Sequence, residues 1–416
     1  MIFKRKKYLD KIYKYIEKEK LIIIYWARQV WKTTLIKTIL EDNKINITKK
    51  YINFDDIYEK KFKTKDDFIK YISFNYGVDF YSDTILFLDE VQTVENIEQI
   101  LKSLYDDDTI NLRIIATWSW LWQIKELWSS LVWRVKQIWV YPFSFYEFLE
   151  YKQIDINYLN KDNYESFMYD KIEHYLKEYY TFWGYPAVIN EKTKEEKINK
   201  LSEIIDIYLK KDIAFFLSWN EIINFRKIFS YLANNISSLL NINDLSNYLS
   251  ISRDKVKYYL EILEKSFLLH TVYPFYSDSR KEYSKQPEFF LNDLWVINYF
   301  KNDFWNNDFK WELIENLAYL EILKNKKIFS DEIKTYNKVN GSEIDFIYCY
   351  KTWWIVPIEI KLKNKDVIPK IFSSFCKDYK KDIKYFIKTT TSDISKRELD
   401  DFKVEIIPFW MIWDII

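Results

Sequence analysis

A chain of 416 residues that is 48% hydrophobic has material for two or three packed domains, at roughly 100–200 residues each. Its 63 Lys and Arg nearly cancel its 62 Asp and Glu, which excludes a protein-wide basic field for nucleic acid and leaves only local patches for that purpose. Two cysteines (Cys349, Cys376) and two histidines (His174, His270) without motif spacing exclude a disulfide framework and a His/Cys metal centre, so a reducing, cytoplasmic location is expected. The apolar runs, such as 21–26, are far shorter than the ~18 residues of a membrane span. The basic start, Lys4 to Lys7, leads into a charged helical stretch where a signal peptide would be apolar.

The chain opens with alternating strands and helices. Residues 21–25 (LIIIY) read as a short buried strand, and a helical stretch begins near residue 33. Between them stand Trp26, Ala27, Arg28, Gln29, Val30, Trp31, Lys32, Thr33 and Thr34. With glycine at 26 and 31 this is G-x-x-x-x-G-K-T, a phosphate-binding loop in its required setting between strand and helix. Lys32 would then contact the β- and γ-phosphates of ATP, and Thr33 would hold Mg²⁺. The helix would point its N-terminus at the phosphates. Arg28 and Gln29 carry no readable role.

Further strands are expected at 50–54, 84–88, 112–116 and 135–140, giving a parallel α/β sheet. The third strand, Thr84-Ile-Leu-Phe-Leu, delivers Asp89 and Glu90 at its carboxyl end, where such sheets bind ligands. Alone, the pair reads as a solvated strand end. Downstream of the loop it reads as Asp89 for the Mg²⁺ shell and Glu90 polarising the attacking water. Thr117 and Ser119 end the next strand, where a γ-phosphate sensor would sit. Arg134 reads either as an ordinary surface arginine or as an arginine finger.

Pro142 opens a Tyr-rich helical stretch to about residue 217. Residues 225–267 read as three helices, and 268–275 as a wing strand after the third, a winged-helix pattern. Then come a helix (312–325), strands (328–336, 343–350, 355–362), a helix (367–380) and a strand (383–388). Period-2 alternation puts Glu343 with Asp345 on one face, and Glu359 with Lys361 on one face. The two strands join at Trp353-Trp354, so Asp345 and Glu359 can converge, and Glu315 on the preceding helix can join them. The alternative is a half-exposed hairpin with a surface charge trio.

Glycine is the anomaly: 3 residues, against 17 tryptophans. An ordinary chain is about 7% glycine. An AT-rich gene explains scarce glycine, whose codons are GC-rich, but not abundant tryptophan, whose codon UGG is also GC-rich. The tryptophans fall where glycine is wanted, as in Thr117-Trp-Ser-Trp, Leu131-Val-Trp133-Arg134, Phe182-Trp183-Gly184, Asp293-Leu-Trp295 and the Trp353-Trp354 turn. Read as glycine, all 17 would give 20 glycines, about 5% of the chain. A gene that uses UGA for glycine, translated with a table that reads UGA as tryptophan, produces this pattern.

With that substitution the strings G-A-R-Q-V-G-K-T-T-L, L-D-E-V-Q, T-G-S, S-L-x-G-R-V, P-F-S-F-Y-E-F (142–148), F-G-G-Y-P and Y-L-K-K-D-I (208–213) together resemble the prokaryotic AAA-family ATPases that carry a C-terminal domain of unknown function. The resemblance spans essentially the whole chain, and the tryptophans are its only departures. It implies an AAA-type core (1–145), a helical lid (146–220), a winged helix (221–284) and an α/β restriction-nuclease-like domain (285–416). The Asp345…Glu359-x-Lys361 order resembles the PD-(D/E)xK nuclease core, where two carboxylates bind Mg²⁺ and the lysine orients or activates water. Three functions are therefore expected in competition. They are an ATP-hydrolysing switch engaging DNA or a protein partner, an ATP-dependent nuclease, and a DNA-binding regulator with a degenerate loop. An oligomer is compatible with each.

Overall fold

The computed structural model describes residues 3–414, leaving out 27–31, 43–46, 59, 119–130, 132, 157–158, 160–161, 163, 208–216, 267, 277–281, 283, 306–307, 327–329, 339–340 and 363–366. The chain divides into two compact units, Met1–Pro142 and Phe143–Ile416.

The first unit contains α1 (Lys6–Ile16), β1 (Leu21–Trp26), α2 (Lys32–Leu40), β2 (Thr48–Asn53), α3 (Lys65–Tyr76), β3 (Thr84–Asp89), α4 (Ile97–Tyr105), β4 (Leu112–Trp118) and β5 (Lys136–Val140). The strands form a parallel sheet in the order β2-β3-β4-β1-β5. A parallel sheet covered on both faces needs strands that are apolar throughout, and β3 is buried along its whole length. The helices show the complementary pattern: α4 buries Ile97, Ile100, Leu101 and Leu104, one stripe at helical spacing. Local signals set helix ends. Thr64 caps α3 by accepting from the Asp67 N–H, and Gly77 ends it in the left-handed conformation.

The second unit begins with α5 (Phe145–Tyr151), whose start is fixed by a reciprocal Ser144–Glu147 capping box. Then come α6 (Tyr169–Phe182), α7 (Pro186–Ile189), α8 (Lys194–Ile207), α9 (Trp219–Asn234), α10 (Ile242–Leu249) and α11 (Arg253–Lys265). The strands β6 (Leu269–Val272) and β7 (Glu288–Leu291) follow as an antiparallel pair. Next are α12 (Leu294–Lys301), α13 (Trp311–Asn325), β8 (Glu332–Asn337), β9 (Glu343–Cys349), β10 (Ile355–Glu359), α14 (Lys370–Tyr379), β11 (Phe386–Thr390), β12 (Ser395–Leu399) and β13 (Phe402–Pro408). The last six strands make one mixed sheet, ordered β12-β13-β11-β10-β9-β8. Its outer strand β12 exposes Lys396, Arg397 and Glu398. Helix α13 is buried on all sides, and its Asn316 side chain bonds both the N–H and the C=O of Leu291, capping β7 as another strand would. The same helix carries Lys324 and Glu321, buried against each other and against the Tyr179 hydroxyl.

Among the described residues three tryptophans have positive φ: Trp133 (73°), Trp183 (64°) and Trp353 (75°). Such backbone costs a non-glycine residue on the order of 1–3 kcal/mol. The expected strands and helices recur with shifted ends. Strands β7, β12 and β13 and helix α12 lie beyond what periodicity indicated.

Candidate functional site

The order of the first sheet puts β1 between β4 and β5, with β3 on the far side of β4. Strand β1 ends at Trp26 and α2 begins at Lys32, with five residues between them in sequence. Ala27, Arg28, Gln29, Val30 and Trp31 lie outside the described residues, as do the side chains of Trp26, Lys32 and Thr33. Thr34 sits half-buried in the first turn of α2, and its carbonyl accepts from the Thr38 hydroxyl, 2.8 Å away.

Asp89 closes β3 and is buried. Its Oδ2 accepts from the Tyr51 hydroxyl of β2 at 2.8 Å, and its Oδ1 accepts from the Thr117 hydroxyl of β4. Burial, then the charge of Asp89, raises the Tyr51 phenol far above its ordinary range, so it stays a donor. Glu90 follows with φ 55° and ψ 42°. That left-handed step is unusual for a glutamate, and such outliers cluster at functional sites. The Glu90 N–H bonds Thr117 Oγ1 at 2.9 Å and Asp89 Oδ1 at 3.1 Å. The Gln92 amide donates to Glu90 Oε2. Three adjacent strands thus supply one cluster of hard oxygen donors, the chemistry that suits Mg²⁺.

Sequence reasoning singled out Asp89, Glu90 and Thr117 but missed Tyr51 and Gln92. Gln92 was visible in the L-D-E-V-Q string. Tyr51 carried no signal, because only the pairing of β2 with β3 brings it to Asp89. Ser119 lies outside the described residues. Arg134 is partly exposed, with its Nε on Asp106 Oδ1 at 2.7 Å. This pairing is that of a surface arginine.

The second constellation lies on β9 and β10. Antiparallel register pairs Ile358 with Phe346, which leaves Asp345 and Glu359 near neighbours. Asp345 Oδ2 accepts from the Ile360 N–H at 2.6 Å. Lys361 Nζ meets Glu359 Oε1 at 2.8 Å and lies over the Trp311 ring. Glu359 Oε2 is buried with no hydrogen-bond partner among the described residues. Glu315, Asp345 and Glu359 are all buried, and burial drives all three carboxyls up in pKa. Asp345 adds to the rise at Glu315, and Glu359 to that at Asp345. Thus the residues do come together. Yet among the described residues no three His, Cys, Asp or Glu side chains are arranged to hold a metal ion. Nor is any described helix long and apolar enough to cross a membrane.

Comparison with known proteins accords with this division. The chain is similar to an uncharacterized protein of Methanocaldococcus jannaschii, MJ1544, at 26% identity over 409 residues, spanning 94% of this chain and 87% of the relative. A second from that organism, MJ1637, is 30% identical over 304 residues, or 68% of this chain and 63% of the relative. An uncharacterized protein of Haemophilus influenzae is 26% identical over 358 residues, covering 82% and 83%. Residues 173–304 match one domain of unknown function (DUF8612) and residues 312–412 another (DUF4143). Residues 18–149, which hold the parallel sheet and the Asp89 cluster, match the AAA domain, ahead of the stretch that matches a C-terminal domain of unknown function.

Proposed function

We propose that the first unit binds ATP with Mg²⁺ and hydrolyses it, and that the second unit couples this cycle to DNA or to a protein partner. The carrying observation is the Asp89-Glu90 pair, held at the carboxyl end of buried β3 while β1, two strands away, leads into Lys32 at the start of α2. In this reading Lys32 meets the β- and γ-phosphates, and Thr33 with Asp89 would hold Mg²⁺, which neutralises phosphate charge. Gln92 aims the Glu90 carboxylate, which orients water and accepts its proton. Thr117 fixes the backbone between the two acids, and Ser119 is the candidate γ-phosphate sensor. Arg134 would serve as a finger only after leaving Asp106.

The test is ATP binding and turnover by wild type, Lys32→Ala and Glu90→Gln. Lys32→Ala should lose binding, whereas Glu90→Gln should bind ATP and stop turning over. Equal hydrolysis rates in wild type and Lys32→Ala would end the assignment.

For the second unit, α9, α10 and α11 followed by the β6–β7 pair support a winged-helix reading and hence DNA contact. The gathering of Asp345, Glu359 and Lys361 favours a second activity, metal-dependent DNA cleavage. Incubating DNA with the protein and Mn²⁺ or Mg²⁺, beside Glu359→Gln, tests it. Cleavage that survives Glu359→Gln belongs to a contaminant.

A further inference from the structure

We infer that positions 26, 31, 133, 183 and 353 are glycine in the protein its source organism makes, through UGA codons that the organism decodes as glycine. The backbone of the second unit carries much of this argument, independently of any nucleotide chemistry. Trp183 ends α6 with φ 64° and ψ −173°. That region of backbone space is essentially confined to glycine, because a Cβ there meets its own carbonyl groups. The next residue is a true glycine under the same pressure. A Cβ on Gly184 would lie 2.3 Å from the Phe143 carbonyl oxygen. The tight passage of this segment past Phe143 thus requires small residues, and the indole at 183 is instead driven into the core, fully buried against Lys324.

Trp353 shows the same demand at a hairpin. It stands in the loop between β9 and β10, at φ 75°, with its N–H on the Tyr350 carbonyl and the Tyr350 N–H on the Trp354 carbonyl. A left-handed residue closing such a short loop is ordinarily glycine. Trp133 repeats the pattern in the first unit. The Arg134 N–H bonds the Leu131 carbonyl, which makes Trp133 the third residue of a four-residue turn, and its φ of 73° is the type II value that calls for glycine. Both indoles project into solvent, 96% exposed at Trp133 and 88% at Trp353, so neither packing nor hydrogen bonding explains a tryptophan there.

Two buried tryptophans add a different kind of misfit. The indole N–H groups of Trp118, at the end of β4, and Trp295, in α12, are buried with no hydrogen-bond partner among the described residues. A native core seldom leaves such donors unmet. Trp410 is unlike these, because its indole donates to the Thr391 carbonyl at 3.3 Å, and it stands outside the inference. Positions 26 and 31 join by composition and spacing, as the two places where the chain must admit phosphate against its backbone. One codon reassignment accounts for all five positions and for a chain in which glycine is scarce beside abundant tryptophan.

The test has two parts. The gene is sequenced, and the native protein, purified from its organism, is peptide-mapped by mass spectrometry. UGA at the five codons, with each peptide lighter by one Trp-to-Gly difference, is the expected result. UGG, or an intact tryptophan, at 133, 183 or 353 overturns the inference. In parallel, the chain carrying Trp26→Gly, Trp31→Gly, Trp133→Gly, Trp183→Gly and Trp353→Gly is compared with the tryptophan chain by thermal melting. The glycine chain should melt at the higher temperature, and a lower one counts against the inference. If the map reads glycine and the glycine chain still fails to bind ATP, the ATPase proposal falls and this inference stands.

Discussion

Two clusters of acids sit on two sheets, and they are held by opposite means. Asp89 and Glu90 are met by donors, with Tyr51 and Thr117 on one carboxylate and Gln92 on the other. Asp345, Glu359 and Glu315 crowd one another in a buried place, Lys361 is the cation beside Glu359, and one oxygen of Glu359 has no hydrogen-bond partner among the described residues. Donors aim a carboxylate, whereas crowding in a dry place favours the protonated acid. The first cluster is therefore oriented by its neighbours, as the proposed Mg²⁺–nucleotide site would require. The second ties the folding of its own domain to proton concentration.

The sharpest way to break this comparison is to neutralise one acid in each cluster. Glu90→Gln should lower ATP turnover by about 10²–10⁴-fold, the usual contribution of a positioned acid–base group. Glu359→Gln should leave ATP turnover unchanged. Equal losses in a phosphate-release assay would show that the two clusters are not independent.

The next effect is on pH dependence. Glu315 and Asp345 have carboxyls raised in the folded state, so the folded protein holds protons that the unfolded chain has released. Their contribution to stability is full below the ordinary carboxylate range and is lost as pH rises through the raised values. Thermal melts should therefore show the C-terminal transition falling between pH 5 and 9, and Glu315→Gln should flatten that fall. A slope unchanged in Glu315→Gln would remove the crowding argument.

Smaller effects refine the first cluster. Hydrogen bonds to charged groups contribute about 1.5–3 kcal/mol. Gln92→Ala should thus reduce kcat roughly ten- to hundredfold with ATP affinity kept. Tyr51→Phe should do least. It removes one donor from Asp89 Oδ2 and should lower the Mg²⁺ concentration for half-maximal rate, by less than about tenfold, because Thr117 still holds the other oxygen. A higher Mg²⁺ requirement would show that the phenol supports the ion rather than competing with it.

How far these features could be read from residues alone varies for physical reasons. β1, β3 and β4 were plain, because strands buried on both faces are runs of aliphatic residues. Asp89 and Glu90 were plain because they end such a run. Tyr51 was hidden, since β2 is mixed in character and only its pairing with β3 gives the tyrosine a partner. The convergence of Asp345 with Glu359 followed from period-2 alternation across one hairpin, but their burial depended on α13 and on the strands beyond. β12 escaped because Ser395-Lys-Arg-Glu-Leu399 is a charged edge with almost no apolar alternation. The misfit of the tryptophans was legible as composition, whereas their backbone angles required coordinates.

That charged edge bears on how the protein behaves in concentrated solution. A sheet margin offers unpaired N–H and C=O groups to any neighbouring chain, and long apolar margins seed fibrous aggregates. Here a second molecule docking along β12 would have to strip water from the exposed side chains of Lys396, Arg397 and Glu398 in succession, and dehydrating charged groups is costly. Adding a further strand from another copy at this end of the β12-β13-β11-β10-β9-β8 sheet is therefore disfavoured.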